Sequence, residues 1–523
     1  MVKWVGCQCR TSGKEGRPMP SRLRALCLLL VSGLLACGPL SAAPDARYWS
    51  LDEILDQIDT WRTQYPDLIH HDELGITTQG EPIPLLRLSD NAATSEAEPR
   101  LFIHAAQHAN ECNGTGAVMK LVDDLLADYG TDPVAKARLD ELELYVAPVV
   151  NVDGHRYVFD GEPSWEDWRK TLRDNNGNEQ VDFPDDGVDT NRNWDWRWEE
   201  YPESDPASQK YKGPYPFSEP EVAALRDFVL AERPLIVADL HSPVSITWHN
   251  YIFYMGMGGP EDEISRDVAE EWADRTRTEN GGTYNTIYAL DTLPKEQCWI
   301  YYRAGILSYL MEISAQCWWT GAMVDTIAHR VARGHLALLD RVRTGPGITG
   351  RVTDAATGDP LVAEVRIDEL HSPDVGPRLT EARFGQYHRL TDSRDYTVRA
   401  LCDGYDSQVR TVTVGAGWAV ADFALEPDPA EVQPVEREGD LRLRASNPLR
   451  SGESLHLSLP VGAPAAAVDL YDPQGRRVAT LGAGLEAGRV HLLPLPARLE
   501  AGIYLARARA GSAHHVLRLV LLP

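Results

Sequence analysis

Positive charge is in short supply in this chain. Its 523 residues carry 51 Lys and Arg against 78 Asp and Glu, a formal net charge of −27 with a pI near 4.9. That balance excludes electrostatic capture of nucleic acid or anionic lipid, both of which require basic patches. Cysteine is sparse as well. Of eight, Cys7, Cys9, Cys27 and Cys37 fall in the first 46 residues, leaving Cys112, Cys298, Cys317 and Cys402 for the body. Four scattered thiols make no disulfide scaffold and no zinc-ribbon spacing, and Cys298 with Cys317 is the nearest pair. Beyond the N-terminus no apolar run approaches the ~20 residues of a membrane span. At 43% hydrophobic and 25% charged residues, the composition is that of an ordinary globular protein. Its length suits about three domains.

The one long apolar run, Leu23 to Ala43, follows Arg22 and Arg24 and ends in small residues. It reads as a secretory signal, which makes the protein exported: secreted, periplasmic or at the cell surface. Met19 is a second candidate start. Leu34-Leu35-Ala36-Cys37 has the form of a lipoprotein box with a lipid anchor at Cys37, whereas Ser41-Ala42-Ala43 suits ordinary cleavage. Both readings stand.

From residue 47 to 345, apolar runs of strand length alternate with helical patterns, which predicts an α/β domain with a mainly parallel or mixed sheet and helices on both faces. Leu101–Ala106, Leu144–Val150, Leu235–Leu240 and Ile306–Ile313 are nearly continuous apolar runs, as central strands should be. Leu51–Tyr65, Gly116–Tyr129, Pro220–Glu232 and Ile264–Asn280 carry helical periodicity. After Gly345-Pro346-Gly347 the texture becomes short alternating runs broken by Gly and Asp, predicting a small β-sandwich over 346–427. A Pro- and Glu-rich linker spans 428–440, and a second all-β module follows over 441–523. From Asp428 onward there are 11 Arg, 10 acidic residues and no Lys, so the acidity belongs to what precedes.

Polar residues gather where the predicted strands end. One strand runs into His108 and Glu111, another into Asn151-Val152-Asp153, a third into His241. Open α/β sheets bind ligands beyond the carboxyl ends of their strands. Two imidazoles and a carboxylate form a catalytic zinc set with the fourth position open. His104 competes with His108, but lies inside its strand and reads as a buried structural histidine. Glu312 interrupts the apolar run ILSYLMEIS, where a carboxylate is costly unless paired or used.

The order His108-x-x-Glu111, VDTNRNWDW at Val188 to Trp196, His241, Tyr288 and Glu312 resembles the zinc metallocarboxypeptidase family of carboxypeptidase A. The likeness covers about Arg47 to Val342. It implies that His108, Glu111 and His241 bind zinc, with Asp189 orienting a ligating imidazole. Glu312 would be the general base on the zinc-bound water and then the acid toward the leaving amine. Arg169, in WRKT, would stabilise the tetrahedral oxyanion. Asn191 and Arg192 would grip the substrate's terminal carboxylate, and Tyr288 would close over it. The implied activity is hydrolysis of the C-terminal peptide bond of peptides or proteins. A metallopeptidase acting on cell-wall stem peptides, and a non-catalytic surface binding protein on the same scaffold, are the alternatives.

The sequence departs from the pattern at Asn110, where arginine is usual. The segment Asp291 to Trp299, which should help to form the specificity pocket, contains Asp291, Glu296 and Gln297. Asp174, Asn176, Asn178, Asp182 and Asp185 have the offsets of a calcium loop, with Glu179 where glycine is expected, making calcium a second candidate metal. The 346–427 region resembles the transthyretin-like domain that often follows carboxypeptidase domains. The C-terminal module resembles sorting or attachment sandwiches, which implies an export-machinery or cell-surface partner.

Overall fold

The computed structural model describes residues 44–428 except 162–164, 243–249 and 290–291, together with most of 442–522. The signal run and Cys37 therefore lie outside the described residues, as do Asp291 and nearly all of the linker. The chain forms two compact units, one closing at Glu426 and the other opening at Pro427.

The first unit opens with helix α1 (Leu51–Gln64). Ser50 accepts from the Glu53 N–H while the Glu53 carboxylate accepts from the Ser50 N–H, a reciprocal cap that fixes the helix start. Leu51, Ile54, Ile58 and Trp61 make its buried stripe. Strands β1 (Ile69–Ile76), β2 (Pro82–Leu88) and β3 (Arg100–Ala105) lead into α2 (Asn113–Asp128). There follow α3 (Pro133–Asp140), β4 (Glu143–Ala147), α4 (Val152–Phe159), α5 (Pro220–Glu232) and β5 (Ile236–His241). Next come β6 (Tyr251–Tyr254), α6 (Asp262–Arg275), β7 (Asn285–Tyr288), the short turn α7 (Glu296–Trp299), β8 (Leu307–Glu312) and the long α8 (Ala322–Thr344).

The eight strands form one sheet in the order β1-β2-β4-β3-β5-β8-β6-β7. Its centre, β4-β3-β5-β8, is parallel. The neighbouring pairs β1–β2, β2–β4 and β6–β8 are antiparallel. Every residue of β3, β4, β5 and β8 is buried, which accounts for their unbroken apolar sequences. Helices α1, α2, α6 and α8 supply one part of the core, whereas Val222, Leu225 and Val229 of α5 pack with Phe102, Tyr145 and Val237 in a separate cluster. The sheet is thus mixed and covered on both faces.

Beyond α8, β9 (Gly347–Asp354), β10 (Glu364–Ile367), β11 (Gln386–Leu390), β12 (Asp395–Leu401), β13 (Gln408–Thr413), β14 (Trp418–Val420) and β15 (Phe423–Leu425) make two small sheets. This region does not stand apart from the α/β body. Ile348, Val365 and Phe423 join the same buried cluster as Leu338 and Val342 of α8. Buried Glu261 receives both Arg378 and Arg389 from the β-rich region. The two regions share this buried cluster across residue 345, while their strands form separate sheets. The second unit has a three-stranded and a five-stranded sheet over its own core, which includes Leu455, Leu457, Val468, Leu470 and Leu519. Among the described residues the four body cysteines form no disulfide. No described helix is long and apolar enough to cross a membrane.

Candidate active site

The site lies at the carboxyl ends of β3, β5 and β8. Ala106, at φ 51°, takes the chain out of β3 through a left-handed step, and His108 follows two residues later. On β5, Asp239 and His241 are two apart and share a face. In the parallel register His104 of β3 pairs with Asp239, and His241 pairs with Glu312 of β8. Strand pairing thereby brings together residues that are far apart in sequence.

The donor atoms converge tightly. His108 Nδ1 lies 2.9 Å from His241 Nδ1 and 3.0 Å from Glu111 Oε1, and His241 Nδ1 lies 3.0 Å from Glu111 Oε2. All three side chains are buried. Both imidazoles are held from behind, His108 Nε2 at 3.1 Å from Asp189 and His241 Nε2 at 2.5 Å from Asp239. Anchoring each Nε2 to a carboxylate directs each Nδ1 inward, the arrangement of carboxylate–histidine–metal triads. Zinc bonds of 2.0–2.1 Å in a tetrahedron separate donor atoms by about 3.3 Å, so this triangle fits zinc with a small expansion.

The electrostatics fit a cation too. Against burial, which would raise it, His108, His241 and Arg169 hold the Glu111 carboxyl well below its usual range. Against burial, which would lower it, Asp239 and Glu111 raise His241 to about 10. Two carboxylates competing for one imidazole proton mark a place where a dication would replace protons. Burial, followed by the Glu111 carboxylate, pushes Glu312 up to about 8. One Glu312 oxygen is buried without a hydrogen-bond partner.

Asp189 has several functions at once. It caps the turn Thr190–Arg192 by accepting from the Asn191 N–H at 3.0 Å, receives Arg169 Nε and Nη2 at 3.2 and 3.1 Å, and anchors His108. Arg169 also donates to Glu111 at 2.7 Å. Asn191 places its Nδ2 3.4 Å from His241 Nε2 and accepts from the Glu296 N–H at 3.0 Å. Arg192 is buried and donates to the Asn191 carbonyl at 2.6 Å and the Tyr201 hydroxyl at 3.2 Å. Beside Glu111 and Arg169 a cavity of about 250 Å³ is lined by Asn110, Asp167, Phe183, Gln209 and Cys317.

Of the expected site residues, His108, Glu111, His241, Asp189, Arg169 and Asn191 form one bonded cluster, with Arg192 and Glu312 adjoining it. Tyr288 is half-buried at the end of β7, its hydroxyl 3.4 Å from that of Tyr302. The calcium-spaced loop is a turn closed on itself. Asp174 accepts from the N–H groups of Asn176, Gly177, Asn178 and Glu179, and Asn176 and Asn178 donate to Asp182. Among the described residues, Asp174, Asp182 and Asp185 do not gather into a group of metal-donor atoms, whereas His108, Glu111 and His241 do.

Sequence reasoning missed what lies beneath the metal-donor set. Asp239 accepts from His241, from Gln107 at 2.9 Å and from Gln297 at 2.8 Å. His104 is buried as expected, but it is not inert: its Nε2 lies 2.8 Å from Glu296, and its Nδ1 lies 3.5 Å from Asp239. The available signal was the polar alternation at Asp239 and His241 in an otherwise apolar strand.

The zinc carboxypeptidase family model matches residues 54–320, just over half the chain, and spans every member of this cluster. The chain belongs to the zinc carboxypeptidase family. Membership makes it by family a metallocarboxypeptidase, a hydrolase class that takes zinc and acts at peptide or protein C-termini. Carboxypeptidase B of Astacus astacus is 31% identical over 261 residues, 46% of this chain and 78% of that protein. Carboxypeptidase A2 of Mus musculus is 30% identical over 239 residues, 45% of this chain but only 54% of its own length. The crystal structure of thrombin activatable fibrinolysis inhibitor aligns with 56% of this chain and 77% of its own at 24% identity, with a TM-score of 0.48. These two relatives match 46% and 45% of this zinc carboxypeptidase, which spans 78% and 54% of their own lengths.

Proposed function

We propose that this chain is an exported zinc-dependent carboxypeptidase that removes single residues from the C-termini of peptides or proteins. The observation that carries this reading is the buried triangle of His108 Nδ1, His241 Nδ1 and a Glu111 carboxylate, no edge longer than 3.0 Å. These three would hold the metal. When bound, zinc supplies Lewis acidity toward a carbonyl and a lowered water pKa.

The protein groups divide the remaining work. Glu312 takes a proton from the attacking water and delivers it to the leaving amine, a role that suits a buried carboxylate with a free oxygen. The Arg192 guanidinium, with the Asn191 amide, holds the terminal carboxylate of the substrate; its planar fork suits that group. Arg169 donates to the oxyanion that develops at the scissile carbonyl, and Tyr288 closes over the bound C-terminus. Asp189 and Asp239 keep the two imidazoles in the tautomer that presents Nδ1.

Export rests on the apolar run after Arg22 and Arg24. The β-rich region after α8 has the make-up of a transthyretin-like accessory domain, and the second compact unit that of a sorting or attachment module. Chelation should abolish release of C-terminal residues and added zinc should restore it; release that survives complete removal of metal would overturn the proposal.

A further inference from the structure

Several arginines inside the first unit meet carboxylates: Arg100 meets Glu143, Arg169 meets Glu111 and Asp189, and Arg378 and Arg389 meet Glu261. Buried Lys170 and Lys212 instead each donate to two backbone carbonyls. Two cations at the active site lack a carboxylate partner. Among the described residues no carboxylate lies within 4.0 Å of the Arg192 guanidinium; its donors reach only a hydroxyl and a carbonyl, and its plane lies 5.8 Å from the Tyr201 ring centre. Among the described residues Lys295 has neither an ion pair nor a hydrogen-bond acceptor for its ammonium, which lies 6.0 Å from the centre of the Phe253 ring.

The two belong to one place. The turn that follows Lys295 is fastened by the Glu296 N–H to Asn191 Oδ1 at 3.0 Å, one residue before Arg192. Burial, then the Arg192 guanidinium, pushes the Lys295 ammonium down to about 8, with Glu312 and Asp189 offsetting part of that effect. Like charges held together in a half-dry site are costly unless something anionic joins them. Among the described residues no carboxylate pairs with either cation, and the unpartnered oxygen of Glu312 reaches neither within hydrogen-bonding distance. Both oxygens of Glu296 are taken, one by His104 and one by Gln107, so that carboxylate is not free for a basic substrate side chain.

We propose that Lys295 is the specificity-determining residue and selects substrates ending in aspartate or glutamate, pairing with the side-chain carboxylate while Arg192 holds the terminal one. The inference rests on the carboxypeptidase reading and deepens it: the preferred substrate brings two carboxylates to two unmatched cations.

The test uses the zinc-loaded full chain and N-acylated dipeptides ending in Glu, Asp, Phe or Lys. Wild type should give its highest kcat/KM with Glu or Asp. Lys295→Met should lower the Glu-to-Phe ratio of kcat/KM at least about 30-fold, as expected for losing one partner of a desolvated charge pair. Lys295→Arg should retain the acidic preference, and Lys295→Glu should move the preference to Lys. In parallel, calorimetry should show L-glutamate binding to wild type more tightly than L-phenylalanine, with the difference lost in Lys295→Met. Turnover without an acidic preference, or a preference untouched by Lys295→Met, overturns this inference and leaves the carboxypeptidase reading intact. No turnover on any substrate, with glutamate binding that still depends on Lys295, overturns the carboxypeptidase reading and keeps the anion site. Neither turnover nor glutamate binding overturns both.

Discussion

Replacing Asp239 by asparagine probes the part of the site that the structure adds to the sequence. One oxygen of Asp239 accepts from His241 at 2.5 Å, Gln107 at 2.9 Å and Gln297 at 2.8 Å. An amide oxygen in that position can keep accepting from all three donors, so shape and hydrogen bonding survive. What is lost is the negative charge behind His241, the chief influence raising that imidazole toward about 10 against burial. A less basic imidazole is a weaker metal ligand. Loss of such an outer partner typically weakens metal binding 10–100-fold, about 1.4–2.7 kcal/mol. The assay is zinc competition against a chromophoric chelator at neutral pH, with circular dichroism to verify the fold. Asp239→Ala is the contrast, because it leaves buried donors unpaired and should also cost about 1–3 kcal/mol of stability for each such group. Asp239→Asn with wild-type zinc affinity and an intact fold would refute the reasoning.

Two further outcomes follow from the same structure. Glu312→Gln should bind zinc as wild type does while losing about 10²–10⁴-fold in kcat, measured on any released C-terminal residue; normal turnover would remove Glu312 as the base. Burial pushes His155 and His335 down to about 4. Their folded pKa values lie below the unfolded 6.5, so below that pH the unfolded chain takes up protons that the folded chain refuses, and stability falls as pH drops toward 4. Each should cost about 2 kcal/mol between pH 7 and 5. His335→Leu, in a site packed against Trp272, should therefore narrow the stability gap between pH 7 and pH 5 by about that amount in urea unfolding; an unchanged gap would mean that His335 is not buried neutral.

The central sheet was legible because parallel strands covered on both faces must be apolar throughout, so a polar residue at a strand end stands out. That logic located His108, His241 and Glu312 before their pairing was known. It does not extend to helices or to contacts between distant stretches. Helix α8 buries Val324, Ile327, Val331, Leu338 and Val342 at helical spacing, but the Arg and His residues of MVDTIAHRVARGHLALLDRVR interrupt that stripe in the sequence. The network of His104, Gln107, Asp239, Glu296 and Gln297 draws on three separate stretches, and only the register of β3 against β5 brings the first two together. The shared core across residue 345 was likewise hidden, because a change from helical to alternating texture says nothing about whether two regions pack. Lys295 carries no signal in the sequence, since an unmatched cation is defined by what fails to surround it.

The most direct test is the zinc content of the full chain after exhaustive dialysis, set beside that of His241→Ala. The convergence of the two imidazoles with Glu111 predicts one zinc per chain in the wild type and essentially none in the variant, whose remaining His108 and Glu111 cannot close the site. Wild-type protein that holds no zinc, or His241→Ala that retains it in full, would contradict the account.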